Sequence, residues 1–137
     1  MNGKRVLFIK ICFFVGAVAD LLATMPLLFP DVARLMFGLE GASVGNDYLY
    51  ASRIGASLMA GWTLLLLWGS FRPVERKEVL LLTLFPVLIG LLVSSVLVVG
   101  SGFVRIQYMV PLWIFYALII PSYIAAYLLA RKMTAGA

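Results

Sequence analysis

From Val79 to Val104 the chain runs for 26 residues without a charged side chain, and from Ile106 to Ala130 it does so for another 25. A third uncharged stretch covers the 18 residues from Ile54 to Phe71, and a fourth, Ile11 to Pro30, is interrupted by Asp20 alone. A hydrocarbon core about 30 Å thick is crossed by roughly 20 residues of helix, and a helix satisfies its own backbone polar groups there. Four such runs, apolar on every face, predict membrane spans at about residues 6–29, 52–69, 79–99 and 107–129. Composition agrees: 64% of the 137 residues are hydrophobic and 12% charged, against roughly half and a quarter in a water-soluble domain. The expected fold is an all-α integral membrane protein, a four-transmembrane-helix up-down bundle making one membrane domain over residues 1–137.

The connections carry their own signals. Pro30 ends the first run, and "DVARLMFG" follows, in which Asp31 is a candidate N-cap, Val32, Leu35 and Met36 share a face, and Gly38 is a candidate stop. A short amphipathic helix lying in the interface between spans 1 and 2 is expected there. "LEGASVGND" reads as loop, with Tyr48 and Tyr50 beyond it at a depth where interfacial aromatics are enriched. "RPVERKE" is a tight charged turn, so spans two and three are antiparallel neighbours. Gly100-Ser101-Gly102 closes the third span, and Arg131-Lys132 the fourth. The first run opens like a signal peptide, with Lys4, Arg5 and an Ala17-Val18-Ala19 cleavage pattern. Its apolar character continues past that point through Leu21, Leu22, Leu27 and Leu28, and it is read as a retained helix.

Several chemistries are excluded at this stage. The chain has no histidine, which removes imidazole ligation of haem or zinc and histidine acid–base catalysis, and a single cysteine, Cys12, which removes a cysteine cluster or an internal disulfide. No cofactor is expected. The net charge of +5 does not point to nucleic acid, because the basic residues sit at span ends. Eight of them (Lys4, Arg5, Lys10, Arg72, Arg76, Lys77, Arg131, Lys132) fall on one side and three (Arg34, Arg53, Arg105) on the other. The positive-inside rule then expects a multi-pass protein of the cytoplasmic membrane with both termini cytoplasmic.

Asp20 is the first candidate for chemistry, since an aspartate at the centre of a span costs about 2.5–3.5 kcal/mol. At steps of four it shares a stripe with Cys12, Gly16 and Thr24, the small and polar side of a bulky helix, which is expected to face other helices. It reads either as an ion, proton or substrate site or as a structural acid satisfied by a neighbouring helix. Arg53 enters span two from the same side of the membrane and has two readings: reaching inward to pair with Asp20, or snorkelling outward to headgroups. Ser57 of span two is a further polar neighbour. Tyr116, Tyr123 and Tyr127 fall on one face of span four, where they either line a ligand site or bond between helices. Ala56/Ala60 and Ser57/Gly61 in span two, and Pro86, Gly90 and Ser94 in span three, form small-residue stripes suited to close helix approach. Cys12 reads as a packing residue.

The segments "LLFPDVARLMFG", "RIGASLMAGW" and "RPVERK", in that order, resemble those of small prokaryotic four-span membrane proteins of the DoxX-like group. The resemblance covers most of the chain, and it implies a fold without a catalytic signature, so no residue role is carried over from it. The expected function is that of a non-catalytic structural or accessory module, with the lipid bilayer around it and a second copy or another membrane protein as partner. The alternative is a small proton-coupled transporter or a lipophilic-ligand-binding protein using Asp20. An enzyme acting on lipids, with Asp20, Tyr116 and Tyr123 lining one pocket, ranks behind both for want of a second acid or base. Four short helices are expected to enclose little volume within one copy.

The charge bias predicts the outcome of thiol labelling in intact cells. A cysteine placed at Ala135 should be protected from an impermeant reagent, while one at Gly45 should react. Comparable labelling of the two would mean insertion in both orientations.

Overall fold

The computed structural model describes residues 2–39 and 43–135, and among these every regular element is helical. Helix α1 (Asn2–Leu28) is followed by the short α2 (Pro30–Phe37) and then by α3 (Asn46–Phe71). The third span is made of α4 (Glu78–Leu82), a distorted turn at Thr83–Leu88 and α5 (Ile89–Gly100), and α6 (Ile106–Ala135) completes the chain. Four helices are thus long and apolar enough to cross a membrane, as the uncharged runs predict. They form an all-α bundle whose outer surface carries large apolar side chains such as Leu22, Leu58, Leu97 and Leu118.

Local chemistry accounts for the element ends. Pro30 opens α2 at a first-turn position where its missing N–H costs nothing. Asp31 was expected to cap this helix; instead Phe29 holds the cap position with no side-chain bond, and Asp31 lies inside the first turn, 3.3 Å from Arg34. Gly38 ends the helix in the left-handed conformation (φ 64°, ψ 32°). It suits that place twice over, since a Cβ there would lie 2.3 Å from the Tyr108 ring. Helix α3 begins at Asn46, six residues before the expected span, with Gly45 extended before it and Asp47 in the first turn, where a negative charge favours the helix dipole. Tyr48 and Tyr50 therefore ride on α3 itself. Part of the expected loop, residues 40–42, lies outside the described residues.

The third span holds a break that the apolar run conceals. Phe85 is extended (φ −136°, ψ 114°) because it precedes Pro86, whose ring disfavours helical backbone at the residue before it; the Phe85–Pro86 bond is cis. The break divides the packing. Helix α4 packs against both α3 and α6, whereas α5 packs on α6 and has no comparable contact with α3. Two indole hydrogen bonds hold this span in place. Trp62 Nε1 donates to Thr83 Oγ1 at 3.0 Å, and Trp113 Nε1 donates to Ser95 Oγ at 2.8 Å. Each hydroxyl in turn donates a hydrogen bond to a carbonyl one turn back, Val79 and Leu92 respectively, so both are satisfied.

The core sits toward the end of the bundle that carries both termini. Ile9, Phe13 and Ala17 of α1 meet Leu66 of α3, Leu80 of α4 and Tyr123, Ala126 and Ala130 of α6, all almost fully buried. The turn between spans two and three closes this end. The Arg76 guanidinium lies 3.5 Å over the Trp68 ring and donates to the Trp68 carbonyl at the end of α3, and Arg72 bonds Glu75 at 3.2 Å. Of the small-residue stripes Ala56 is buried, whereas Ser57, Ala60, Gly61, Gly90 and Ser94 are exposed.

Glycine positions separate the two surfaces experimentally. A Cβ at Gly69 would lie 2.4 Å from the buried Phe13 ring, while one at Gly61 would meet nothing within 4 Å. Gly69→Ala should lower thermal stability in detergent by about 1–3 kcal/mol, the range for overpacked cores, and Gly61→Ala should leave the melting temperature of the monomer unchanged. Equal effects would contradict the packing of α1 on α3.

Candidate functional site

Helix α1 turns its narrow stripe inward. Cys12, Gly16 and Thr24 are buried and Asp20 is half-buried, while Phe14, Val18 and Leu21 face out. Asp20 lies eight residues before the end of α1 at Leu28, about 12 Å along a helix axis at 1.5 Å per residue. Thr24, one turn on, donates its hydroxyl to the Asp20 main-chain carbonyl at 2.8 Å and so turns back onto its own helix. Cys12 points its sulfur at the Ser122 carbonyl, 3.8 Å away, as a packing residue.

Where the packed end of the bundle gives way to the open one, a cavity of about 300 Å³ is walled by all four spans. Helix α1 gives Gly16, Ala19, Asp20 and Ala23; α3 gives Met59 and Leu66; the third span gives Thr83, Leu88 and Leu91. Helix α6 supplies the largest wall, with Leu112, Phe115, Tyr116, Ile119 and Tyr123. That volume is at the lower end of the range for ligand pockets. It is a small cavity, in keeping with the little volume expected of four short helices, and it lies where α5 and α3 have little contact.

Few polar groups face this cavity, and two of them have no partner. The Asp20 Oδ2 and the Tyr123 hydroxyl are both buried, and neither hydrogen-bonds to any described residue. Tyr123 is only 1% exposed. The phenol reaches this depth because residue 16 is glycine; a Cβ there would lie 1.8 Å from the Tyr123 oxygen. Tyr116, also buried, lines the same cavity, with its ring centroid 6.1 Å from that of Phe115. Thr83 is present in the wall but already committed to Trp62 and Val79.

Of the residues singled out in the sequence, Asp20, Tyr116 and Tyr123 come together at one site. Arg53, Thr24 and Ser57 do not. The inward reading of Arg53 is overturned: its side chain is exposed and forms no ion pair with Asp20. Near the end of a span a guanidinium reaches the polar boundary at little cost, and this outweighs a descent into the bundle. Ser57 is exposed and donates to the Ile54 carbonyl at 2.9 Å. The residues that sequence reasoning passed over are Gly16 as the seat of a phenol, Phe115 and Thr83. Leu112, Phe115, Tyr116, Ile119 and Tyr123 do follow the i, i+3, i+4, i+7 spacing of one helical face, so part of the wall was readable.

No family model matches the chain, and no curated protein or solved structure matches it.

The contact between residues 16 and 123 has a direct test. Gly16→Ala should lower the melting temperature, because the rigid phenol has to move out of the way of the new methyl group. Combining it with Tyr123→Phe removes the atom at 1.8 Å and leaves the ring carbon at 3.0 Å as the nearest neighbour. The double variant should therefore recover part of the loss, and strict additivity of the two changes would refute the contact.

Proposed function

We propose that this protein holds a lipophilic molecule within the bilayer, in the cavity that Asp20, Tyr116 and Tyr123 share. The observation that carries this reading is the pair of buried, unpartnered oxygens, Asp20 Oδ2 and the Tyr123 hydroxyl, at one apolar cavity. A buried polar group left unpaired costs about 1–3 kcal/mol. A molecule that supplies the missing hydrogen bonds gains that energy together with the burial of its apolar body. The gap between α3 and α5 supports entry from the lipid side. The reading is one of binding: beyond the phenols, the cavity wall offers one carboxylate and no second acid or base for proton transfer.

A second reading, as an accessory module that packs with another copy or a partner protein, has its own support. Ser57, Ala60 and Gly61 on α3, and Gly90 and Ser94 on α5, expose small side chains of the kind that let membrane helices approach closely. The two readings are compatible. The eight-to-three charge distribution supports cytoplasmic termini in the cytoplasmic membrane for both.

Photolabelling tests the binding reading. A diazirine-bearing alkyl probe, added to the protein in phosphatidylcholine bilayers, should label Tyr116, Tyr123 or Met59 in addition to outward residues such as Leu118. Ala23→Phe, which fills the cavity from α1, should remove the inner labels and leave Leu118 labelled. Labelling confined to outward residues in the unmodified protein would refute the proposal.

A further inference from the structure

We infer that the molecule held in this cavity is a lipophilic monocation, an alkyl- or arylammonium whose charged head lies at Asp20 and whose tail extends between α3 and α5. This rests on the binding reading above and adds the chemical class of the ligand. The first argument is charge. Among the described residues, Asp20 is the single acidic one in the cavity wall, and no lysine or arginine lines it. Arg53, which could have neutralised it, is exposed and unconnected to it. An anionic ligand would bring a second negative charge into a low-dielectric site, whereas an ammonium supplies the counter-charge that the chain itself withholds.

The second argument is the geometry of donors and acceptors. An ammonium has three N–H donors and no acceptor, and it needs oxygens or aromatic faces around it. Asp20 Oδ2 is an acceptor without a donor, and the Tyr123 oxygen, set against Gly16 one helical turn away, has lone pairs equally unused. Phe115, Tyr116 and Tyr123 add aromatic rings to the wall, and such rings attract a desolvated cation. Thr83 does not compete, since its hydroxyl is engaged on both sides.

The third argument concerns the tail. The remainder of the wall is aliphatic or thioether, from Leu66, Leu88, Leu91 and Met59, and favours a hydrocarbon body. Leu91 and Met59 belong to the two helices whose outer halves stand apart, so a chain longer than the cavity leaves between them into lipid.

The test compares three probes of one chain length: decylammonium, decanol and decanoate. Each is titrated into the protein in phosphatidylcholine nanodiscs, with protein-free nanodiscs as background. Decylammonium should bind at least tenfold tighter than decanol and raise the melting temperature, and decanoate should show no binding above background. Asp20→Asn should bring decylammonium down to the affinity of decanol, while Asp20→Glu keeps the preference. Equal binding of decylammonium and decanol by the unmodified protein would overturn the cation assignment and leave the cavity reading standing. No binding of any probe above background, with photolabelling confined to the outer surface, would overturn both. If Asp20→Asn does not fold, the ratio of the three probes on the unmodified protein still decides.

Discussion

The phenol of Tyr123 occupies the space that a side chain at residue 16 would need, and much of the bundle is arranged around that approach of α6 to α1. Within a bilayer there is no water to expel from between helices, so association depends on close contact and hydrogen bonding. At Gly16 the contact brings an aromatic ring into the α1 backbone. The ring belongs to the packed core together with Phe13, Leu66 and Ala126, and with Leu66 it also lines the cavity. The hydroxyl is thereby held one turn from Asp20. One small residue fixes both the seam and the polar floor of the site.

A second constraint, the break before Pro86, shapes the opposite wall. Had the third span been a straight helix, it would have followed α3 along its length as it does at α4. The extended Phe85 redirects the chain, and α5 comes to rest on α6, anchored by the Trp113–Ser95 bond. Ser95 is the one residue of α5 that is fully buried. The bundle therefore has a closed half and an open half, and the cavity lies where they meet. Tight packing and an opening toward lipid are assigned to different ends of the same four helices, so neither compromises the other.

What could be read from the sequence follows from the length scale of each signal. The spans were legible because a run of 20 uncharged residues leaves the chain almost no alternative. The inward stripe of Cys12, Gly16, Asp20 and Thr24 was legible because its neighbours on α1 are bulky. The grouping of Asp20 with Tyr116 and Tyr123 was legible only as one option among several, since depth along a span restricts which side chains can meet but does not fix rotation. The same indeterminacy produced the inward option for Arg53. The break at Phe85 was hidden inside a uniformly apolar run, where Pro86 reads equally well as a small residue in a packing stripe. Asp31 lies two positions past the cap because Pro30 takes the first helical position, which puts the cap at Phe29.

Asp20 is an expense the fold does not recover internally. Its carboxylate has no cationic neighbour, and the nearest hydroxyl in sequence, that of Thr24, bonds to the main-chain carbonyl instead. A structural acid in a membrane helix is normally retained with its partner, because an acid alone weakens the bundle that carries it. The partners expected inside this chain are engaged elsewhere or exposed: Thr24 turned back, Ser57 and Arg53 at the surface. Tyr123 is the exception, and it too lacks a partner although the cavity brings it alongside. Two polar groups held at one cavity yet unsatisfied are not what helix packing alone would select. The proposed binding accounts for them, since a site already saturated by its own protein has nothing left to offer a ligand.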